Sequence, residues 1–393
     1  MISNLLVLSG TKIKSDRKGN YYTTGSFDER VWGRYKNLAN NIILLAPADS
    51  KHTNVEGVEN RYNIIPHYVQ YVSLPDRSSI RSYISIRSYK DQRRIVKEQI
   101  DKADAALFRV PFLLVLYAAK VASKKKMKYL IEVIGCPWDA LWNHGSLVGK
   151  VFAPFGYLSM RHVIKNAPYV LYVTKQFLQK RYPTKGKSIG VSDVCINDDF
   201  NYITNAKDQA DSSNVHETFT VGTAAGVDVR YKGQQYVIKA LALLKRRGII
   251  VKYSLAGSGK GDYLMKLAST YGVQDQIEIL GSIPYTQMGA YYKSLSLYVQ
   301  MSLQDGIPRS VIEAMSYGKA VVGARTGGLP ELIRPNCIVQ RKNYRTLAKK
   351  IEEFIMNPHL LAIEGQKNKE MASFFTMQSL NRLRDRFLYE ALL

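Results

Sequence analysis

An acidic pair in the C-terminal half of the chain has the spacing of a ligand-binding helix start. Asp305 and Glu313 are separated by seven residues, and Pro308 and Gly318 are typical of the first turn and the end of a helix. Glu313 is therefore expected about one and a half turns into a helix that begins just after Asp305. The free N–H groups and dipole of such a start attract anions and sugar hydroxyls. The simpler alternative is an N-cap aspartate and a solvated glutamate.

Two cations precede another predicted helix. Arg230 and Lys232 lie in the turn Asp228–Gly233, which follows the apolar run Phe219–Val221. Fixed positive charges at a helix start suit a leaving diphosphate, because negative charge develops on it. Isolated surface cations remain the alternative.

The elements that must position these residues alternate along the C-terminal half. Predicted strands at 219–221, 251–256, 277–280, 297–300 and 320–323 alternate with predicted helices at 234–247, 263–271, 286–294 and 309–317. This order predicts an α/β domain with a doubly wound parallel sheet. Ligands bind beyond the carboxyl ends of such strands. The turns around Gly257 and Ser282 fall at those ends.

The N-terminal half shows the same units less regularly. Strands are predicted at 4–9, 42–46, 105–108 and 129–134, and a helix at 111–126. We predict a Rossmann-like acceptor domain at 1–197, a linker at 198–216 and a Rossmann-like nucleotide-sugar domain at 217–375. The segment 376–393 is predicted to be a helix that returns to the first domain, with Leu380, Leu383, Phe387, Leu388 and Ala391 at helical spacing.

The segment 302–333 resembles the retaining glycosyltransferase family four. The resemblance rests on the acidic-x7-Glu pair and on Gly327, Gly328, Pro330 and Glu331, and it covers about residues 218–335. It implies a GT-B fold, in which two Rossmann-like domains face a central cleft. This chain has Asp305 where the family usually has glutamate, and Arg230 lies nearer to Lys232 than in the commonest pattern.

The resemblance also implies roles for single residues. Asp305, Lys232 and Arg230 are the catalytic candidates, of which the two cations hold the donor diphosphate. Glu313 is expected to hold the ribose, and Asp305 with the backbone of Gly306 and Ile307 the donor sugar. Further donor-binding candidates are Gly257, Ser282, Gly327 and Gly328.

Candidates on the acceptor side come from two places in the N-terminal half. Asn20 and Tyr21 lie in the loop after the first predicted strand, where an ordinary surface loop is equally compatible. Glu132, Trp138, Asp139 and His144 cluster after the strand at 129–134. The aromatic residues suit either the core or a sugar-stacking platform.

Charge and composition bound the setting. The net charge is +24, and residues 1–200 carry 31 Lys and Arg against 16 Asp and Glu. Basic and aromatic residues mix at 81–97, 123–129 and 150–165, which suits docking on an anionic membrane surface. Three scattered cysteines argue against a disulfide framework. We expect a cytoplasmic protein, peripheral on the inner face of the cell membrane.

The combined expectation is a retaining, metal-independent glycosyltransferase. No DxD metal signature is present, and no cofactor is expected beyond a UDP- or GDP-linked sugar donor. The acceptor is expected to be a glycan, lipid-diphosphate-linked, in bacterial surface polysaccharide synthesis. The alternatives are a storage-glycan or sucrose-type transferase of the same fold and, from another class, a basic nucleic-acid-binding protein. The sequence shows no RNA-binding signature, so no specific nucleic-acid partner is expected.

Overall fold

The chain forms two compact units. The computed structural model describes residues 1–23, 27–53, 62–76, 85–143, 146–196 and 218–393. One unit contains residues 1–141, 147–193 and 382–393, and the other contains residues 142–146 and 194–381. The predicted linker at 198–216 and the candidate His144 lie outside the described residues.

The first unit is built on one large sheet. Its strands are β1 (Ile2–Leu8), β2 (Ile13–Ser15), β3 (Tyr21–Thr23), β4 (Ala39–Thr53), β5 (Asn63–Ile64), β6 (Val69–Leu74), β7 (Ala105–Val110), β8 (Lys128–Val133), β9 (Tyr169–Tyr172) and β10 (Lys187–Gly190). The order is β10-β9-β8-β7-β1-β4-β2-β3-β5, and β6 also pairs with β4. The run from β10 to β4, together with β6, is parallel. Among the strands that the structure describes here, only β3 pairs in antiparallel fashion, with β2 and β5.

Helices cover the parallel part of this sheet. Those of residues 1–196 are α1 (Glu29–Lys36), α2 (Ile86–Lys102), α3 (Val115–Lys124), α4 (Pro137–Asn143), α5 (Leu147–Lys165) and α6 (Phe177–Arg181). Every residue of β7 is buried, as expected for a central parallel strand covered on both faces. Two apolar clusters lie around the sheet, one containing Leu6 and Phe108 and the other Leu5 and Leu107.

The second unit has a six-stranded parallel sheet. Its strands are β11 (Thr220–Ala224), β12 (Lys252–Ala256), β13 (Ile277–Gly281), β14 (Leu297–Gln300), β15 (Ala320–Ala324) and β16 (Ile338–Val339), in the order β13-β12-β11-β14-β15-β16. The chain runs outward from β11 through β12 to β13 and then crosses to β14 on the other side. Such a reversal is a topological switch point, beyond which open α/β sheets bind ligands.

The helices of the second unit follow the predicted order. They are α7 (Gln234–Lys245), α8 (Asp262–Thr270), α9 (Met288–Ser294), α10 (Arg309–Ser316), α11 (Tyr344–Met356) and α12 (Pro358–Ala372). Helix α10 begins one residue after Pro308, and Gly318 just beyond its end has the positive φ of +68° that favours glycine. The predicted α/β class with doubly wound sheets is confirmed.

The prediction was incomplete for the first unit. The strand expected at 42–46 is the middle of β4, which runs from Ala39 to Thr53. The extension formed by β2, β3 and β5 was not predicted, because strands of two or three residues carry too little periodicity. Within the described residues, no helix combines the length and the apolar character needed to cross a bilayer.

The last helix, α13 (Met377–Leu392), groups with the first unit from Arg382 onward. Phe387, Leu388 and Leu392 are buried in the cluster around Leu5, and the Phe387 ring meets Tyr169 edge-on with centroids 5.8 Å apart. Leu383, predicted on the same apolar face, is instead 53% exposed.

This packing predicts a contrast between two leucines of α13. Leu388→Ala leaves a cavity in the first unit and should lower its free energy of unfolding by about 2–5 kcal/mol. Leu383→Ala removes the same atoms from an exposed position and should change it by less than about 0.5 kcal/mol. Urea denaturation, followed by amide hydrogen exchange of β9, measures both. Equal effects of the two substitutions would contradict the packing of residues 382–393 in this unit.

Candidate active site

Two loops at the switch point of the second sheet bring Lys232 and Asp305 together. Strand β11 leads into a single 3-10 turn at Arg230–Lys232, and the neighbouring β14 leads into the loop before α10. Lys232 Nζ lies 2.9 Å from Asp305 Oδ1, and the side chains are 24% and 12% exposed. The predicted cation and the predicted acidic residue therefore form one partly buried ion pair.

A hydrogen-bond chain fixes the other oxygen of Asp305. Asp305 Oδ2 accepts from Gln300 Nε2 at 3.2 Å and from the hydroxyl of Ser302. Gln300 Oε1 accepts from the Tyr298 hydroxyl at 3.2 Å, and that hydroxyl accepts from the Ala224 N–H at 3.0 Å. The carboxylate is thus held in one orientation by groups on β14 and at the end of β11. This order favours a preorganised electrostatic site.

Gly327 and Gly328 lie directly behind the Asp305 loop. Gly327 has φ of +56°, and a Cβ there would stand 1.7 Å from the carbonyl oxygen of Asp305. The Gly328 N–H donates to the Gly306 carbonyl at 2.9 Å. The structure therefore places this predicted pair where it shapes the backbone of Asp305 and Gly306.

Glu313 lies in α10 beside a buried tyrosine. The Tyr292 hydroxyl donates to Glu313 Oε2 at 2.7 Å, and the Tyr292 ring stacks on Tyr317 with centroids 5.8 Å apart. Burial raises the pKa of the Glu313 carboxyl, while Tyr292 and Arg309 act in the opposite direction. Burial also raises the pKa of the Tyr292 hydroxyl, so that it remains a donor. One carboxylate oxygen is therefore oriented by Tyr292.

Three glycine-containing turns meet at the same ends of β11, β12 and β13. The Gly257 N–H donates to the Gly281 carbonyl at 2.7 Å, and a Cβ on Gly257 would stand 2.1 Å from the Ala225 carbonyl oxygen. The carboxylate of Asp228 accepts from the Lys260 and Gly261 N–H groups, which lowers its pKa. Ser282, the next residue after β13, is exposed.

Arg230 is close to Lys232 in sequence but has its own support. Its guanidinium lies 4.3 Å from the centroid of the Tyr263 ring, and its carbonyl accepts from Gln235 Nε2 at 2.9 Å. Gly233, the next turn residue, has φ of +82°, and a Cβ there would stand 2.0 Å from the Met301 carbonyl oxygen. Only glycine lets the β11 loop approach the β14 loop this closely.

The acidic candidates on the acceptor side have partners within the fold. Glu132 is buried in β8 and forms an ion pair with Arg109 of β7, whose guanidinium also lies 4.1 Å from the centroid of Phe27. Burial opposes the charge of Arg109, but Glu132 and Tyr35 outweigh it, so the pKa of Arg109 is raised. Asp139 is buried, and its Oδ2 lies 3.2 Å from Arg181 Nη1. Both carboxylates are therefore engaged in ion pairs within the fold.

The remaining acceptor-side candidates do not converge on one described point. Trp138 packs against the apolar cluster that contains Leu6 and Phe108, and its ring lies edge-on to Tyr157 with centroids 6.1 Å apart. Asn20 Nδ2 donates to Asp16 Oδ2 at 2.8 Å. Tyr21 is 43% exposed and lies 4.8 Å from Tyr71, measured between ring centroids.

The sequence reasoning missed Tyr292, Gln300 and Ser302 as supporting residues. Their signal was weak: Gln300 and Ser302 flank Met301 just before the Asp305 loop, where a buried strand normally ends in apolar residues. Both are buried, with exposures of 1% and 0%. Within the described residues, no group of three His, Cys, Asp or Glu side chains is arranged to hold a metal ion.

Comparison with known proteins relates this part of the chain to a family of enzymes. Residues 206–371 match the family described as glycosyl transferases group 1. This part of the chain is similar to that family, and the chain is a glycosyltransferase. Protein CapJ of Staphylococcus aureus is 27% identical over 374 residues, covering 94% of this chain and 91% of CapJ. A putative colanic acid biosynthesis glycosyltransferase, WcaL of Salmonella typhimurium, is 27% identical over 163 residues, 38% of this chain and 40% of WcaL.

Solved structures share the fold of the glycosyltransferase. HepE of Anabaena, in complex with UDP, has a TM-score of 0.67 at 16% identity and covers 99% of this chain and 100% of that one. Sucrose-phosphate synthase of Thermosynechococcus elongatus has a TM-score of 0.66 at 14% identity, with 99% and 98% coverage. At these identities the likeness establishes the fold alone, and that fold is GT-B.

The bond from Tyr292 predicts a shifted pH profile in a variant. Tyr292→Phe removes a hydrogen bond that lowers the pKa of Glu313, so the carboxyl should protonate at higher pH. If donor use requires the ionised carboxylate, the acid limb of the kcat/KM profile should move to higher pH. Steady-state kinetics across pH measure this shift.

The matched control is the adjacent tyrosine. Tyr291→Phe removes a bond of 3.0 Å to the Ser254 carbonyl, and the Tyr291 ring is also buried. Its acid limb should stay where the unmodified enzyme has it. A shift of equal size in both variants would mean that packing, and not the bond to Glu313, sets the profile.

Proposed function

We propose that this glycosyltransferase moves a sugar from a nucleotide-sugar donor to a glycan acceptor with retention of anomeric configuration. The observation that carries the proposal is the Lys232–Asp305 ion pair at the switch point of the second sheet. It combines the cation that a diphosphate needs with a carboxylate suited to sugar hydroxyls. Glu313, oriented by Tyr292, lies on the adjoining helix and is assigned to the ribose hydroxyls.

The proposed step uses the residues as follows. The bond from the anomeric carbon to the donor phosphate oxygen breaks, and a bond from the acceptor oxygen to that carbon forms on the same face. Lys232 and Arg230 stabilise the charge that develops on the leaving diphosphate. The leaving phosphate oxygen takes the acceptor proton, so no protein base is required. The buried, ion-paired Glu132 and Asp139 are compatible with this route.

The same cations support a metal-independent reaction. Lys232 and Arg230 lie in one turn of the chain at the start of α7, where they supply fixed positive charge. We assign no cofactor beyond the donor itself.

The identity of the donor is proposed from the named relatives. The Anabaena HepE structures are described as complexes with UDP and with UDP-glucose. A GDP-mannose-dependent mannosyltransferase of Mycolicibacterium smegmatis is 23% identical over 248 residues. UDP-sugars are therefore the first donors to test and GDP-sugars the second.

The acceptor and the setting are also proposals, supported by the names of two further relatives. WcaL is named for colanic acid biosynthesis and AmsK of Erwinia amylovora for amylovoran biosynthesis. We assign this chain to bacterial surface polysaccharide synthesis, with a lipid-diphosphate-linked glycan as acceptor. Its proposed place is the cytoplasmic face of the membrane, where the net charge of +24 favours anionic lipid.

The test combines donor screening with a charge deletion. The unmodified protein should be stabilised against heat by a UDP- or GDP-sugar, and the product linkage should retain the donor anomeric configuration by NMR. Lys232→Ala should lower kcat/KM by about 10- to 150-fold, the equivalent of about 1.5–3 kcal/mol for a charge-assisted hydrogen bond.

The matched control removes a lysine of the second unit to which no role at the donor site is assigned. Lys266→Ala deletes an exposed side chain of α8 and should leave kcat/KM unchanged. An inverted product linkage would refute the retaining mechanism. Equal kinetics of Lys232→Ala and the unmodified enzyme would remove Lys232 from the donor site.

A further inference from the structure

Helix α5 of the first unit exposes an unusual number of large apolar side chains. They occupy the part of the helix between Leu147 and Leu158. Their exposed fractions are Leu147 79%, Val148 58%, Val151 74%, Phe152 41%, Phe155 56% and Leu158 62%. Contiguous apolar surface of this kind marks an interaction site in soluble proteins.

The other side of the same helix is already used by the core. Gly149, Ala153, Gly156, Met160, Val163 and Ile164 are buried. At 100° per residue, the exposed apolar residues fall on the side opposite to these. Helix α5 is therefore apolar on two faces, and among the described residues one of these faces is buried while the other keeps large apolar side chains exposed.

The charged side chains of α5 itself are all positive. Helix α5 contains no Asp or Glu, and its exposed polar residues include Lys150, Arg161, His162 and Lys165. Lys165 and Leu147 differ by five full turns and thus share one direction on the helix. The apolar half of the face is continuous with a basic end.

This combination selects one occupant. A second copy of the chain would bring like charges together at the rim, which is unfavourable. An anionic bilayer accepts the apolar side chains among its acyl chains and pairs its headgroups with the cations.

We propose that the exposed face of α5 inserts into the interfacial region of an anionic bilayer, with Lys150, Arg161 and Lys165 at the headgroups. The inference deepens the proposed function, on which it rests for the lipid-linked acceptor. It assigns membrane attachment to a specific element of the fold.

The apolar face adds a component that charge alone does not supply. The basic stretch at 123–129 supplies charge, but its Lys125 already donates from Nζ to the carbonyls of Ile100 and Asp101 at 2.9 and 3.0 Å. Attachment by exposed lysines would vanish at about 1 M salt, where the screening length is about 3 Å. Attachment through α5 should weaken there but persist.

The test is vesicle flotation of the full chain. The unmodified protein should float with vesicles of phosphatidylglycerol and phosphatidylcholine, and a fraction should remain bound at about 1 M NaCl. The triple variant Val151→Ser, Phe155→Ser, Leu158→Ser should lose binding by about tenfold or more, because three apolar side chains no longer enter the bilayer. These positions are exposed, so the fold should be retained, which circular dichroism checks.

The matched control places the same change on the second unit. Ile250→Ser, Met265→Ser, Met356→Ser alters side chains that are 52%, 36% and 66% exposed and should float like the unmodified protein. Binding of the α5 triple variant equal to that of the control would overturn the inference. So would a dimer of the unmodified protein that dissociates in the α5 variant, since the face would then bind a second copy.

A separate measurement, stabilisation of the protein by the donor, distinguishes failure of this inference from failure of the proposed function. UDP-sugars and GDP-sugars are titrated into the same proteins, and their stabilisation against heat should be unaffected by the α5 changes. Absence of vesicle binding with intact donor stabilisation would refute the role of α5 alone. Absence of stabilisation by any UDP- or GDP-sugar would instead count against the proposed function.

Discussion

The ion pair between Lys232 and Asp305 is the interaction on which the rest of the site depends. It joins loops that leave two neighbouring parallel strands, β11 and β14, where the strand order of the second sheet reverses. In the ion pair, the lysine and the carboxylate balance each other's charge. The lysine is also suited to the diphosphate of a nucleotide sugar, and the carboxylate to its sugar hydroxyls. The pair therefore keeps the loops close and holds charges that a donor can use.

These loops can approach closely because glycines, which have no side chain, stand at the points of contact. Gly233 allows the β11 loop to pass the Met301 carbonyl, and Gly327 allows the segment after β15 to pass the Asp305 carbonyl. Behind them, Tyr298, Gln300 and Ser302 connect the Asp305 carboxylate to the buried strands. A shift of any of these supports would displace the carboxylate, so together they fix its position.

The sequence predicted the second unit far better than the first. Alternating apolar segments predict local elements, and Asp305, Glu313 and the paired glycines share one short stretch, so their neighbourhood is readable from spacing. The partner of Glu313 is not, because the bond from Tyr292 to Glu313 joins two helices, α9 and α10, across 21 residues.

Contacts between residues far apart in sequence also determine the surroundings of the acceptor-side candidates. Glu132 stands at a strand end in sequence, yet its pairing with Arg109 arises from the parallel register of β7 and β8. Nothing in the local pattern separates a buried ion pair from a functional carboxylate. The sequence marked 150–165 as a basic and aromatic stretch, but only the fold decides which side of this apolar helix is covered.

The most direct test of the Lys232–Asp305 account is a calorimetric titration of UDP and GDP into three proteins. In the proposed donor site, Lys232 binds the diphosphate and Asp305 binds the sugar. Lys232→Ala should therefore weaken binding of the nucleoside diphosphate by about 1.5–3 kcal/mol. Asp305→Asn, which frees Lys232, should leave that binding equal or tighter while transfer from the nucleotide sugar falls. Equal losses of nucleoside diphosphate affinity in both variants would contradict the division of roles.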